Sequence, residues 1–192
     1  NSPLLELFKK KGVEVLLLTD PIDEFWVTSV GVFDKHPLRS TAQSATDLDS
    51  IAKSDDSDKD KDETEDDANN ADIDGLVSRL KEALGESVKE VRTSNRLTES
   101  PVCLVGEQGG MSLHLERMLK QHGQGEGLTS PRVLEINPKH GLIKRLANQS
   151  DEIVSETAHL LLDQARIVEG ENLPDPIAFA QRLSQAMERG LL

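Results

Sequence analysis

The sequence has no tyrosine, one tryptophan and four phenylalanines in 192 residues. So small a supply of rings excludes an aromatic platform for stacking nucleic-acid bases. Positive charge is scarce as well: 22 Lys and Arg stand against 35 Asp and Glu, a formal net charge of −13. Nucleic acid and anionic membrane surfaces are held by clustered cations, so neither is expected as a partner. No apolar run approaches the roughly 18–20 residues of a membrane span. The opening residues Asn1-Ser2-Pro3-Leu4-Leu5-Glu6 lack the basic region and long apolar core of a signal peptide. They begin inside what reads as a helix cap, which points to a piece of a longer polypeptide. The single cysteine, Cys103, has no partner for an internal disulfide. Its apolar neighbours Val102, Leu104 and Val105 predict a buried thiol in a reducing, cytoplasmic compartment.

Catalytic patterns are missing too. The five histidines (36, 114, 122, 140 and 159) form no HExxH and no Cys/His metal spacing. His159 with Glu156 and Asp163 is an ordinary surface cluster at i,i+3 and i,i+4. The glycine-rich stretches at 106–110 and 123–127 lack both the Gly-Lys-Ser/Thr ending and the strand–GxGxxG–helix setting of phosphate loops. The expectation is no catalytic residue, no metal site and no enzyme activity in this stretch.

What is present divides into three segments, which together predict an α+β fold. Residues 1–45 read as one α/β unit. Ser2 caps a short helix with Pro3 at its start and Gly12 at its stop. Val13–Leu18 suits a buried strand. Asp20-Pro21 opens a second helix through Phe25, Trp26 and Val30, and Pro37–Ser40 leads into a closing strand. Residues 46–72 form an acidic linker. Between Asp47 and Asp72, twelve acids face three lysines, a net of −9. With few apolar groups to offset the entropy of ordering, this segment is expected to be disordered. Residues 73–192 read as a compact domain. Ile73, Leu76, Val77, Leu80 and Leu84 mark a helix. Residues 87–94, 102–106 and 131–136 predict a small three-stranded sheet, and Met111–His122 a helix between the second and third strands. Asn137-Pro138 caps a helix carrying Leu142, Ile143 and Leu146, and two final helices span 151–168 and 175–189.

The two final helices carry more apolar surface than one packing face requires. Val154, Ala158, Leu161, Ala165 and Val168 step by four and three; Ile153, Leu160 and Ile167 form a second stripe beside them. Phe179, Leu183 and Met187 lie four apart on the last helix. Packing within the domain accounts for one stripe, whereas a bundle across a twofold axis accounts for both. The predicted interface residues are Val154, Ala158, Leu160, Leu161, Ala165, Val168, Phe179, Leu183 and Met187. On the Met111–His122 helix, Met111, Leu115 and Met118 share a face that Leu119 widens. Such a stripe serves either a core or an adaptable apolar binding surface, which methionine suits. Glu116, Arg117 and Lys120 lie elsewhere on this helix.

Several ordered motifs resemble the ninety-kilodalton heat-shock chaperones, in their bacterial form. Ser2–Leu7, Lys11–Leu16 and Asp20–Glu24 are similar to the end of the family's middle domain. Val88–Arg92, Arg96–Pro101, Glu135–Pro138 and Leu160–Ala165 are similar to its C-terminal domain. The resemblance implies an ATP-driven homodimeric chaperone that binds non-native client proteins and joins its protomers through a four-helix bundle. It puts ATP and Mg in the full-length protein rather than in this C-terminal stretch. It also implies that clients bind at an amphipathic helix facing the cleft, which Met111, Leu115, Met118 and Leu119 match. The ending Arg189-Gly190-Leu191-Leu192 lacks the acidic peptide that recruits helical-repeat co-chaperones, so that class of partner is not expected. The alternative from another class is a regulatory or scaffolding fragment that recruits a basic partner through its acidic segment.

Overall fold

The computed structural model describes residues 2–20, 22–42, 66–107, 110–123 and 129–191. The architecture is mixed α+β, with seven α-helices and two small sheets among the described residues. The centre is a three-stranded sheet of β3 (Glu90–Thr93), β4 (Val102–Gly106) and β5 (Arg132–Ile136), in the order β3-β5-β4. β5 pairs in parallel with β3, Glu90 opposite Val133, and antiparallel with β4, Val102 opposite Ile136.

Successive side chains on a strand point to opposite faces, and here each face has its own cover. Val102 and Leu104 of β4, with Leu134 and Ile136 of β5, join the main core. That core is closed by α3 (Asp66–Leu84), through Ile73, Leu76, Leu80 and Leu84, and by α6 (Asp151–Val168), through Val154, Ala158, Leu161, Leu162 and Ala165. A shorter helix, α5 (Gly141–Ala147), adds Ile143 and Leu146. Full burial of a Leu or Ile stabilises by roughly 1.5–3 kcal/mol, and this cluster is the principal source of stability.

The alternate residues Cys103, Val105 and Val133 pack with Leu97 on the other face, under Leu4 and Ala42. Leu4 precedes α1 (Glu6–Lys11), which Gly12 ends in the left-handed conformation at φ 65°. The Glu6 carboxylate accepts the N–H groups of Thr98, Glu99 and Ser100 at 2.6, 2.8 and 3.0 Å. The Gly106 N–H donates to the Ala42 carbonyl at 3.1 Å, and Arg96 donates to the Thr41 carbonyl at 2.5 Å. Both described ends of the first segment therefore dock on the sheet of the third. The described chain resumes as helix from Asp66. The expected disorder of 46–72 gives way to helix at 66–72, and the rest of that stretch lies outside the described residues.

The first segment departs from the sequence expectation. No strand forms over Val13–Leu18, which runs as irregular chain with Leu16 and Leu17 exposed. A buried strand needs a hydrogen-bonded neighbour and covered faces, and no partner lies beside it among the described residues. The second helix, α2, spans Asp23–Val30. The closing strand reduces to a hairpin of β1 (Val32–Phe33) and β2 (His36–Pro37). Asp34 and Lys35 turn it with φ of 44° and 67°, the positive angles of a two-residue hairpin loop. In the third segment the cap of α5 is His140, whose Nδ1 accepts the Leu142 N–H at 3.1 Å. Asn137 instead turns the chain by accepting the Lys139 N–H at 3.0 Å.

Candidate interaction surfaces

The helix α4 (Leu113–Gln121) starts at Ser112, whose hydroxyl accepts the Leu115 N–H at 3.0 Å. Met111, Leu115, Met118 and Leu119 are all half-buried, neither core nor fully solvated. The side that faces the protein carries Leu113 and Glu116. Leu113 joins the main core. Glu116 is 1 % exposed, a position where an unpaired carboxylate would be costly. It accepts the Ser130 N–H at 2.7 Å and Arg132 at 3.2 Å, and it pairs with Lys120 one turn on. Burial alone would raise its pKa, but Lys120, the Ser130 amide and Arg132 together hold it below the ordinary value. The sequence placed Glu116 only away from the apolar face of this helix. Its partners at 130 and 132 leave no local signature.

Arg132 also reaches Glu171, with Nε 3.0 Å from one carboxylate oxygen. Beside it, Arg117 donates to the Glu169 carbonyl and meets His114 Nδ1 at 2.8 Å. The Glu169 carboxyl is pushed up to about 7, chiefly by burial and also by Glu171, with Arg117 opposing.

The two final helices divide their apolar residues in a way periodicity did not reveal. Val154, Ala158, Leu161 and Ala165, expected at an interface, are buried in the chain's own core against α3 and β4. Leu160 and Phe179 are half-buried. Val168 is exposed, as are Leu183 and Met187 of α7 (Pro176–Leu191). Ile167 and Ile177 are exposed alongside them; Ile177 was missed because it directly follows the proline that opens the helix. α7 is capped by Asp175, which accepts the N–H groups of Ile177 and Ala178 at 3.1 and 2.9 Å. It is tied to α6 by ion pairs, Arg182 to Asp163 at 3.6 Å and Arg189 to Glu156 at 2.5 Å. At 100° per residue, Arg182 and Arg189 share one flank, while Ile177, Ala180, Leu183 and Met187 lie on another. α7 thus keeps an apolar side that α6 does not cover.

The sequence model of the family described as Hsp90 protein matches residues 1–192. The chain belongs to the Hsp90 family. It is 50 % identical over 194 residues to the chaperone protein HtpG of Rhodospirillum rubrum, covering 100 % of this chain and 31 % of that protein. The HtpG of Paramagnetospirillum magneticum is 50 % identical over 197 residues and that of Roseobacter denitrificans 46 % over 198, with the same two coverages. The chain therefore spans about a third of the length of these chaperone relatives.

In this Hsp90-family chain one further polar cluster is buried beneath the first segment. Glu135 is 3 % exposed; it accepts from Arg92 at 2.6 Å, from Ser94 at 2.9 Å and lies 2.9 Å from Arg96 Nε. Cys103 sits beside it, its Sγ 3.8 Å from Glu135. Burial first, and then the Glu135 charge, push the thiol well above its ordinary value, which disfavours the thiolate. No helix is long and apolar enough to cross a membrane, and no group of His, Cys, Asp or Glu is placed to hold a metal ion, both among the described residues.

Proposed function

We propose that this chain is the dimerisation and client-binding portion of a homodimeric chaperone. The observation that carries the reading is the uncovered apolar side of α7, together with exposed Ile167 and Val168 at the end of α6. A second copy related by a twofold axis would cover it with the same surface, giving a four-helix arrangement of two α6–α7 pairs. Val168, Leu183 and Met187, joined by Ile167, Ile177 and the outer edges of Leu160 and Phe179, are the contact residues. The half-buried side of α4, with Met111, Leu115, Met118 and Leu119, is the client surface. It would hold non-native chains through several weak apolar contacts repeated on two protomers.

ATP and Mg are assigned to other parts of a longer cytoplasmic protein, since the chaperone relatives are about three times the length of this chain. Nucleic acid and membrane are not assigned as partners. Sedimentation equilibrium of the 192-residue chain tests the central reading. A dimer is expected, and a monomer at micromolar concentration refutes it.

A further inference from the structure

α4 is held in part by a polar network. Its two buried side chains are Leu113 and Glu116, so a single leucine provides its fully buried apolar anchor. The Glu116 carboxylate is bound from outside the helix by the Ser130 N–H and by Arg132. Arg132, the first residue of β5, lies between two carboxylates, Glu116 at 3.2 Å and Glu171 at 2.9 Å, and also donates to the Ser130 carbonyl at 3.1 Å. The next residue of α4, Arg117, reaches the Glu169 carbonyl. Its guanidinium fills the space over Gly170, where a Cβ would lie 2.7 Å from Nη1. Gly170 also has φ 71°, so a larger residue there is strained and must displace the end of the Arg117 side chain. Two adjacent residues of α4 therefore grip both the start of β5 and the connector that leads from α6 into α7.

We propose that Glu116, Arg132 and Glu171, with Arg117 seated over Gly170, form a polar latch that sets the pose of α4 and couples it to the α6–α7 connector. Charged hydrogen bonds are directional, unlike apolar contact, so they specify one pose rather than mere adhesion. A broken network leaves Glu116 buried without its full set of donors, which favours release of the helix into water. The helix thus has two arrangements, docked with the network complete or released with Glu116 hydrated. Whatever shifts the connector, including pairing of α7 with a second copy, biases that choice. The consequence for client binding rests on the assignment of α4 made above; the latch itself does not.

Amide hydrogen exchange on the full 192-residue chain tests the latch. Glu171→Gln and Gly170→Ala should each raise exchange at residues 117–122 by about tenfold or more, the factor expected from losing a charged hydrogen bond. Exchange in β5 should stay unchanged, and Glu171→Asp should restore part of the protection. Coupling is reciprocal, so Glu116→Gln should loosen residues 169–175. Should Glu116→Gln fail to fold, Arg117→Gln supplies the same reciprocal reading from α4. Unchanged exchange in α4 for both connector variants, or loosening of α4 with no response in the connector, overturns the proposal. Reduced, carboxymethylated α-lactalbumin, added as a non-native probe, separates the two readings. Altered exchange with unaltered probe binding supports the latch and sinks the client assignment of α4.

Discussion

If α7 and the end of α6 form a twofold interface, truncating Leu183 and Met187 should dissociate the dimer while the protomer stays folded. Leu183 keeps 42 % of its surface exposed and Met187 59 %. Full burial of such a side chain is worth roughly 1.5–3 kcal/mol, so the portion left for a partner is about 1 kcal/mol each. Twofold symmetry counts each residue twice. Leu183→Ala with Met187→Ala should then weaken association by about 4 kcal/mol, or roughly a thousandfold in Kd. Sedimentation velocity across a wide concentration series reads this directly. Circular dichroism at the lowest concentration should show the same helix content as the parent. Leu161→Ala is the contrasting variant, because Leu161 is 2 % exposed and lies in the protomer core. It should cost about 2–5 kcal/mol of folding stability, whatever the oligomeric state. An undiminished dimer in the Leu183/Met187 double variant would refute the interface, and dissociation caused by Leu161→Ala without loss of stability would return the inner stripe of α6 to it.

Three further outcomes are expected. Met111→Ser with Met118→Ser should weaken suppression of client aggregation with little change in melting temperature, since both residues are half-buried; a large fall in melting temperature would place them in the core instead. Glu135→Gln should destabilise by roughly 3–5 kcal/mol in denaturant unfolding, because it removes the carboxylate shared by buried Arg96 and by Arg92; a neutral result would mean the cluster is hydrated. Glu169, raised to about 7 by burial first, binds a proton more tightly in the folded state than in the unfolded one. Its contribution to stability is therefore complete below its ordinary value of 4.5 and is lost as pH rises through about 7. Urea unfolding between pH 5 and 8 should show that decline, and Glu169→Gln should flatten it.

The sequence alone determined those elements whose cause is local. α6 begins after Ser150 and ends at Val168 because an apolar period of three and four runs unbroken between those points. β4 occupies 102–106 because a short apolar run follows Pro101. Tertiary structure decided which partner each apolar face meets. Periodicity marked both stripes of α6 as apolar, but only the placement of α3 and β4 assigned Val154, Ala158, Leu161 and Ala165 to the chain's own core. The run Val13–Leu18 had the composition of a strand but has no strand beside it among the described residues, and pairing is a non-local property. Glu116 and Glu135 carry no local mark of burial, because cations that pair with them lie up to 43 residues away in the chain. Burial of a charge depends on what the fold brings to it, and no local pattern records that.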